Sequence, residues 1–235
     1  MIKGMELVEN QWGKFYIYPN DLIGMTFKGG NLWDWPFLQE PFEKYSDPYK
    51  IAIDVGANMG LHSVWLAQHN KHVISIEPIT PYIVSLNCIL NNVQDKVTIW
   101  PCAGYGEHGF MELNPDAIQG QKVDIYKLAE MGNIGGISLA YGPGNYIAMP
   151  LDEIVPQYGG HVGLIKIDAQ GCDLGVIEGL QRVIIRDKPA IVFEYEQDLS
   201  NVHNVSWGLY VDVLEDFGYT IQPTQNPANF LALPR

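Results

Sequence analysis

Basic residues are scarce in this chain, cysteines are few, and no long apolar run occurs; each shortage removes a class of function. Fourteen Lys and Arg stand against 27 Asp and Glu, a formal net charge of −13, with no basic run. Nucleic-acid affinity draws on Lys and Arg that neutralise phosphates, so no nucleic-acid partner is expected. A neutral small molecule, a glycan or a cationic partner fits better. The three cysteines, Cys88, Cys102 and Cys172, lie far apart with no C-x-x-C. They read as packing thiols in a reduced, cytoplasmic compartment. The six histidines, His62, His69, His72, His108, His161 and His203, show no zinc-ligand spacing. The start of the chain lacks the apolar core of a signal peptide, and no segment approaches a membrane span.

What is present is a globular composition, 47% hydrophobic and 17% charged over 235 residues. Residues 1–49 read as an N-terminal arm of the same domain, and 50–235 as its body. In the arm, residues 13–19 alternate like a strand, Asn20-Asp21 signals a turn, and Trp33-Asp34-Trp35-Pro36-Phe37 reads as a proline-broken aromatic loop. From residue 50 strands and helices alternate: strands at 51–55, 73–76, 97–100, 163–168 and 189–196, helices at 61–69, 81–91, 173–186 and 207–217. Asp173 is expected to cap its helix. This rhythm means an α/β fold, a parallel sheet covered on both faces. Between 104 and 150 the rhythm breaks into glycine-dense sequence, notably Met131 to Gly136 and Tyr141 to Tyr146, which reads as an ordered lid. Residues 219–222 and 229–233 read as a closing hairpin.

The motif that carries most chemistry is Asp54-Val55-Gly56-Ala57-Asn58-Met59-Gly60, followed one strand later by Glu77-Pro78. Gly56 permits the tight turn out of a buried strand, and Gly60 permits close approach of backbone and ligand. Asp54 would repel a dinucleotide pyrophosphate, and Asn58 stands where that fingerprint needs its second glycine, so an NAD-linked dehydrogenase is disfavoured. An acidic floor suits the ammonium and sulfonium of S-adenosylmethionine, with Glu77 holding the ribose diol. The bland alternative is a glycine-rich turn with no ligand.

These residues, with Leu86-Asn87, Asn91, Asn133 to Gly136, Leu151-Asp152-Glu153, Lys166-Ile167-Asp168-Ala169-Gln170-Gly171 and Phe193-Glu194, run in an order that resembles FkbM-type methyltransferases. The resemblance implies a class I, Rossmann-like methyltransferase fold: a seven-stranded, mostly parallel sheet with helices on both faces and an antiparallel C-terminal hairpin. It implies O-methylation of a hydroxyl on a sugar, polyketide or similar metabolite. Asp54, Gly56, Asn58 and Gly60 would line the methionine end of the cofactor, Glu77 and Pro78 the ribose, and Cys102 and Ala103 the adenine. The chain departs from the family's K-x-D-x-E-G pattern at Gln170, and again at Asp173, where a longer Glu is usual. Gln can neither act as a base nor bind Mg²⁺ strongly.

Transfer to an alcohol needs an acceptor for its proton near the strand ends. Asp168 is the candidate base or orienting group, with Lys166 and Glu194 positioning it; the alternative is a Lys166–Asp168 ion pair that closes the sheet end. His62 and His203 are further base candidates. For the acceptor, Trp33, Trp35, Asn133, Gly136, Tyr195 and His203 are the candidate contacts, since flat rings with polar tips suit sugars. No metal is assigned, though Asp168 and Asp173 with Glu194 or Glu196 could supply carboxylates to a divalent ion. A base-amine methyltransferase would need an N/D-P-P-aromatic tetrad, which neither Asn114-Pro115 nor Asn226-Pro227 completes. A degenerate cofactor-binding module of a larger glycan-synthesis protein stays open, as does a domain of a multifunctional chain.

Overall fold

A computed structural model of the chain describes residues 4–113 and 132–235. Asn114, Pro115 and Met131 lie outside the described residues. The body is one seven-stranded sheet built from β3 (Ile51–Val55), β4 (His72–Ile76), β5 (Val97–Trp100), β10 (Val162–Ile167), β11 (Ala190–Glu194), β12 (Tyr219–Pro223) and β13 (Asn229–Pro234), in the order β12-β13-β11-β10-β3-β4-β5. β13 alone runs antiparallel to its neighbours, β11 and β12. Strands succeed one another outward from β3 to β5, then the chain returns to β10 on the other side. That reversal between β3 and β10 is the switch point where open α/β sheets bind ligands.

Side chains alternate across a strand, so each strand feeds both layers. On one face α1 (Leu22–Lys28), α2 (Trp35–Tyr45), α3 (Leu61–His69) and α4 (Pro81–Leu90) bury Phe27, Phe42, Val64, Leu66 and Ile83 in one cluster with Ala52, Leu164 and Val192. On the other, α5 (Asp173–Gly179), α6 (Gln181–Asp187) and α8 (Trp207–Asp216) bury Val176, Ile184 and Tyr210 against Ile53, Ile165 and Phe193. Each such fully buried aliphatic or aromatic side chain contributes roughly 1.5–3 kcal/mol. The apolar-run reading of β3 holds: all five of its residues are buried.

The arm is more structured than the sequence suggested. β1 (Glu6–Asn10) pairs with β2 (Gly13–Ile17) in a hairpin, and Asp21 begins α1, its Oδ2 accepting the N–H groups of Ile23 and Gly24. The expected loop at Trp33 to Phe37 is instead the start of α2, with Pro36 in the first turn, where its missing N–H costs nothing. Two asparagines one helical turn apart on α4 hold the hairpin. Asn87 Oδ1 accepts Tyr16 N–H at 2.7 Å and its Nδ2 donates to the Tyr16 carbonyl at 3.0 Å. Asn91 repeats the exchange with Lys14 at 2.9 and 2.8 Å. Two amides thus complete the hairpin's edge as a neighbouring strand would.

Two expectations are corrected in the body. The single helix over 173–186 is two, broken at Leu180, because Asp152 caps the second from outside: its carboxylate accepts N–H from Arg182 at 2.7 Å and Val183 at 2.9 Å. The expected lid is partly a four-stranded sheet of β6 (Ala103–Gly104), β7 (Gly109–Leu113), β8 (Leu139–Tyr141) and β9 (Tyr146–Met149), in the order β6-β9-β7-β8. The remaining helix is α7 (Gln197–Val202).

Candidate active site

A cleft opens where β3, β4 and β10 end. Its floor is the turn after β3, in which Gly56, Asn58 and Gly60 all take positive φ, at 74°, 53° and 80°. A Cβ on Gly56 would stand 1.8 Å from the Asp168 carbonyl oxygen, so only glycine lets the β3 and β10 ends meet here. Gly60 does not line the cleft. Its bare Cα clears Val84 of α4, where a Cβ would come within 3.0 Å, so it serves helix packing rather than ligand approach.

Asp54, expected as an acidic floor, is fully buried beneath the cleft and does not line it. The reason is Lys166, its register partner on β10. Lys166 Nζ donates to the Gly56 carbonyl at 3.0 Å and sits 3.4 Å from both Asp54 Oδ1 and Asp168 Oδ2. Ser63 Oγ donates to the other oxygen of Asp54 at 2.6 Å. The Asp54 charge is therefore neutralised inside the protein. Burial lowers the affinity of Lys166 for its proton, but Asp168 and Asp54 outweigh this and hold it above the usual lysine range.

Glu77 does reach the cleft, at the end of β4. Its Oε2 accepts the Asn58 N–H at 2.8 Å, and its Oε1 accepts those of Ile79 and Thr80 at 2.8 and 2.9 Å. Burial raises its proton affinity, and the three amides offset that only in part. A carboxylate offers about four acceptor sites, leaving about one for a ligand. Beside it Pro78, Ile79, Cys102 and Ala103 form an apolar slot. Asn58 also lines the cleft, and its Oδ1 is buried without a hydrogen-bond partner. A buried acceptor left unmade costs about 1–3 kcal/mol, so this atom fits a ligand N–H or O–H.

At the β10 end lies a group of acids. Asp168 is partly exposed; its Oδ1 accepts from Gln170 Nε2 at 2.8 Å. The same nitrogen donates to Glu194 Oε2 at 3.1 Å. Burial, then the charges of Asp168, Asp173, Glu196 and Asp34, push Glu194 up to about 10, so it is protonated near neutrality. Burial and Asp168 push Asp173 up to about 7, and the same two causes push Asp34 up to about 6. Asp173 does not cap its own helix through its side chain. Its oxygens accept N–H from Ala169 at 3.3 Å and Glu194 at 3.2 Å, tying β10 to β11. Among the described residues no three His, Cys, Asp or Glu side chains converge on an ion site.

Of the expected acceptor contacts, Trp33 lines the cleft. Its carbonyl accepts His62 Nε2–H at 3.0 Å, and burial with the Lys166 charge pushes His62 down to about 4, leaving it neutral. Trp35 points elsewhere, its ring 4.9 Å from Trp12 and 5.1 Å from Trp65, because α2 turns it onto α3. Asn133 and Gly136 do not line the cleft; they close a turn, Gly136 N–H donating to Asn133 Oδ1 at 3.1 Å, that presents Ile134 and Gly135 to it. Tyr195 packs between Trp207 and Tyr210, its hydroxyl accepting the Trp207 N–H. His203 sits behind the wall, its Nε2 3.5 Å from Cys172 Sγ. Burial pushes that thiol up to about 12 and lowers His203, so the pair is neutral. The sequence reading missed Ile23, and with it Asp21, whose Oδ1 accepts the Ile134 N–H at 2.6 Å and joins α1 to the cleft rim. The signal was the Asp before an apolar helical run.

Strand order, switch-point cleft and acid-ended strands define a class I methyltransferase-type α/β fold. The family described as the methyltransferase FkbM domain matches residues 54–221, and the chain belongs to it. A solved methyltransferase FkbM from Methylobacillus flagellatus KT is 19% identical with a TM-score of 0.52, over 92% of this chain and 47% of that one. A solved precorrin-6y C5,15-methyltransferase from Geobacter metallireducens GS-15 is 12% identical with a TM-score of 0.47, over 84% and 87% of the two chains. A ribosomal protein L11 methyltransferase from Carboxydothermus hydrogenoformans is 28% identical over 79 residues, 32% of this chain and 26% of its own length. The chain thus spans less than half of the solved FkbM protein and about a quarter of the ribosomal protein L11 methyltransferase. Among the described residues no helix is long and apolar enough to cross a membrane.

Proposed function

We propose that the chain is an S-adenosylmethionine-dependent O-methyltransferase acting on a sugar hydroxyl of a glycan. The observation that carries the cofactor half is the cleft itself: Glu77 with a spare acceptor site beside an apolar slot, and the orphan Asn58 Oδ1 in the same floor. These fit a nucleoside with one ribose hydroxyl donating to Glu77, its base on Cys102 and Ala103, and its amino group donating to Asn58. When bound, S-adenosylmethionine supplies a methyl group on positively charged sulfur.

The chain's own part is to align and deprotonate. Asp168, at the cleft and partly exposed, accepts the alcohol proton as the new O–CH₃ bond forms and the S–CH₃ bond breaks, releasing the neutral thioether. Lys166 fixes one oxygen of Asp168 and the carbonyl of Gly56, holding base and cofactor turn in one frame. Trp33, its carbonyl held by His62, lines the same cleft as Asp168 and Gln170, a pairing of an aromatic residue and hydrogen-bonding groups that suits a sugar. The buried free thiols Cys88, Cys102 and Cys172 favour a reducing, cytoplasmic setting.

Gln170, which cannot act as a base, favours one second reading, a cofactor-binding module without turnover. Incubation with isotope-labelled S-adenosylmethionine and a panel of neutral oligosaccharides, followed by mass spectrometry, separates the two. A labelled methyl on a sugar oxygen supports the enzyme. Tight cofactor binding with no transfer to sugars or to polyketide hydroxyls supports the module.

A further inference from the structure

Gln170 holds a backbone conformation uncommon for its type, φ +50°, just before Gly171 at +95°. The turn folds its side chain back over the end of β10, so that one amide nitrogen lies 2.8 Å from Asp168 Oδ1 and 3.1 Å from Glu194 Oε2. A primary amide has two N–H bonds, and here each carboxyl group receives one. The second oxygen of Asp168 is 3.4 Å from Lys166 Nζ. Both oxygens of the proposed base are thus fixed, one by an ammonium and one by an amide.

The surroundings explain why a neutral donor matters at this point. Three acids feel the charge of Asp168: Asp34 ahead of α2, Asp173 on α5 and Glu194 on β11; Glu196, just beyond β11, acts in turn on Asp34 and Glu194. His62 on α3 is neutral, and Lys166 is the single cation among these groups, already shared with Asp54. Without the amide, Asp168 Oδ1 and Glu194 Oε2 would lose the donor they share.

We infer that Gln170 is a positioning residue that sets the orientation and basicity of Asp168 by placing one amide nitrogen between it and Glu194. The inference rests on reading Asp168 as the proton acceptor. A third carboxylate in place of the amide would turn Asp168 and hold it protonated to higher pH. Moving the amide to the other side of the pair, with Glu at 170 and Gln at 194, would restore a donor between the two.

Four proteins test this: wild type, Gln170→Glu, Gln170→Ala and the exchange Gln170→Glu with Glu194→Gln. Turnover is followed with labelled S-adenosylmethionine and whichever oligosaccharide of that panel accepts the label, and melting temperature is measured from pH 5 to 9. Gln170→Glu is expected to lose about 10–100-fold in kcat at pH 7.5, with KM for S-adenosylmethionine within twofold, less than the roughly 10²–10⁴-fold supplied by a general base itself. The acid limb of its pH–rate profile moves up by about one pH unit, and the exchange recovers most of the loss. In melting, which needs no acceptor, Gln170→Glu falls below wild type at pH 8, the gap closes near pH 5, and the exchange closes it at both. Equal kcat in Gln170→Glu and Gln170→Ala, a pH-independent melting gap, or an exchange no better than Gln170→Glu overturns the inference. Asp168→Asn separates the two levels. If it keeps turnover, the base reading fails; if it abolishes turnover while the Gln170 variants keep it, only the positioning role fails.

Discussion

Glu194→Gln is expected to stabilise the protein, and more so the higher the pH. Glu194 is held up to about 10 from an ordinary 4.5, first by burial and then by Asp168, Asp173, Glu196 and Asp34. In the unfolded chain at pH 7.5 the same carboxyl is ionised, so folding must protonate it. About three pH units separate its ordinary value from pH 7.5, each worth about 1.4 kcal/mol, giving a cost on the order of 4 kcal/mol. For an acid whose folded value is raised, the folded state binds the extra proton, so stability is full below about pH 4.5 and declines as pH rises toward 10. Asp173, raised to about 7, adds a decline of the same sign between about pH 4 and 7. Gln keeps the shape and can still accept from Gln170, but needs no proton. Even half the calculated effect would lift the melting temperature at pH 8 by about 4–8 °C, at about 2–4 °C per kcal/mol for a chain of this size. The assay is thermal or guanidinium unfolding of both proteins at pH 5 and pH 8. A variant equally or less stable than wild type at pH 8, or one whose gain is the same at pH 5, refutes the reasoning.

Three further outcomes are expected. Asn87→Ala leaves the Tyr16 N–H and carbonyl of β2 without partners. It should cost about 2–4 kcal/mol and speed proteolysis within residues 1–49, while Ser85→Ala on the same helix leaves both unchanged. Asp152→Ala removes the cap of α6 and should lower stability by about 1–2 kcal/mol in denaturant titration, with Asp152→Asn losing less. Asp168→Asn should lower kcat by about 100-fold or more while the dissociation constant for S-adenosylhomocysteine stays within a few-fold.

The centre of the sheet was legible because its strands are buried on both faces and read as apolar runs closed by Gly or acid, as at residues 51–55 and 163–168. The Gly56 turn and Glu77 followed from the same pattern. What was not legible depended on partners distant in sequence. Asp54 looked like a free carboxylate until Lys166, 112 positions on, was placed beside it by strand register. The break at Leu180 is invisible along the helix because the group that causes it, Asp152, comes from another segment. Trp35 and Trp33 are two apart, yet α2 sends one into the packing and leaves the other at the cleft. The strands of the small sheet are two to five residues long, too short for a period-two pattern to stand out among the glycines.

The most direct test of the account is a crystal structure with S-adenosylhomocysteine, paired with calorimetric titration of wild type and Glu77→Gln. The account predicts the nucleoside between Glu77 and Ala103, a ribose hydroxyl on Glu77 and its amino group on Asn58 Oδ1, with affinity at least tenfold weaker in Glu77→Gln. A cleft that stays empty at millimolar ligand, or a nucleoside bound away from Glu77 with equal affinity in both proteins, would contradict it.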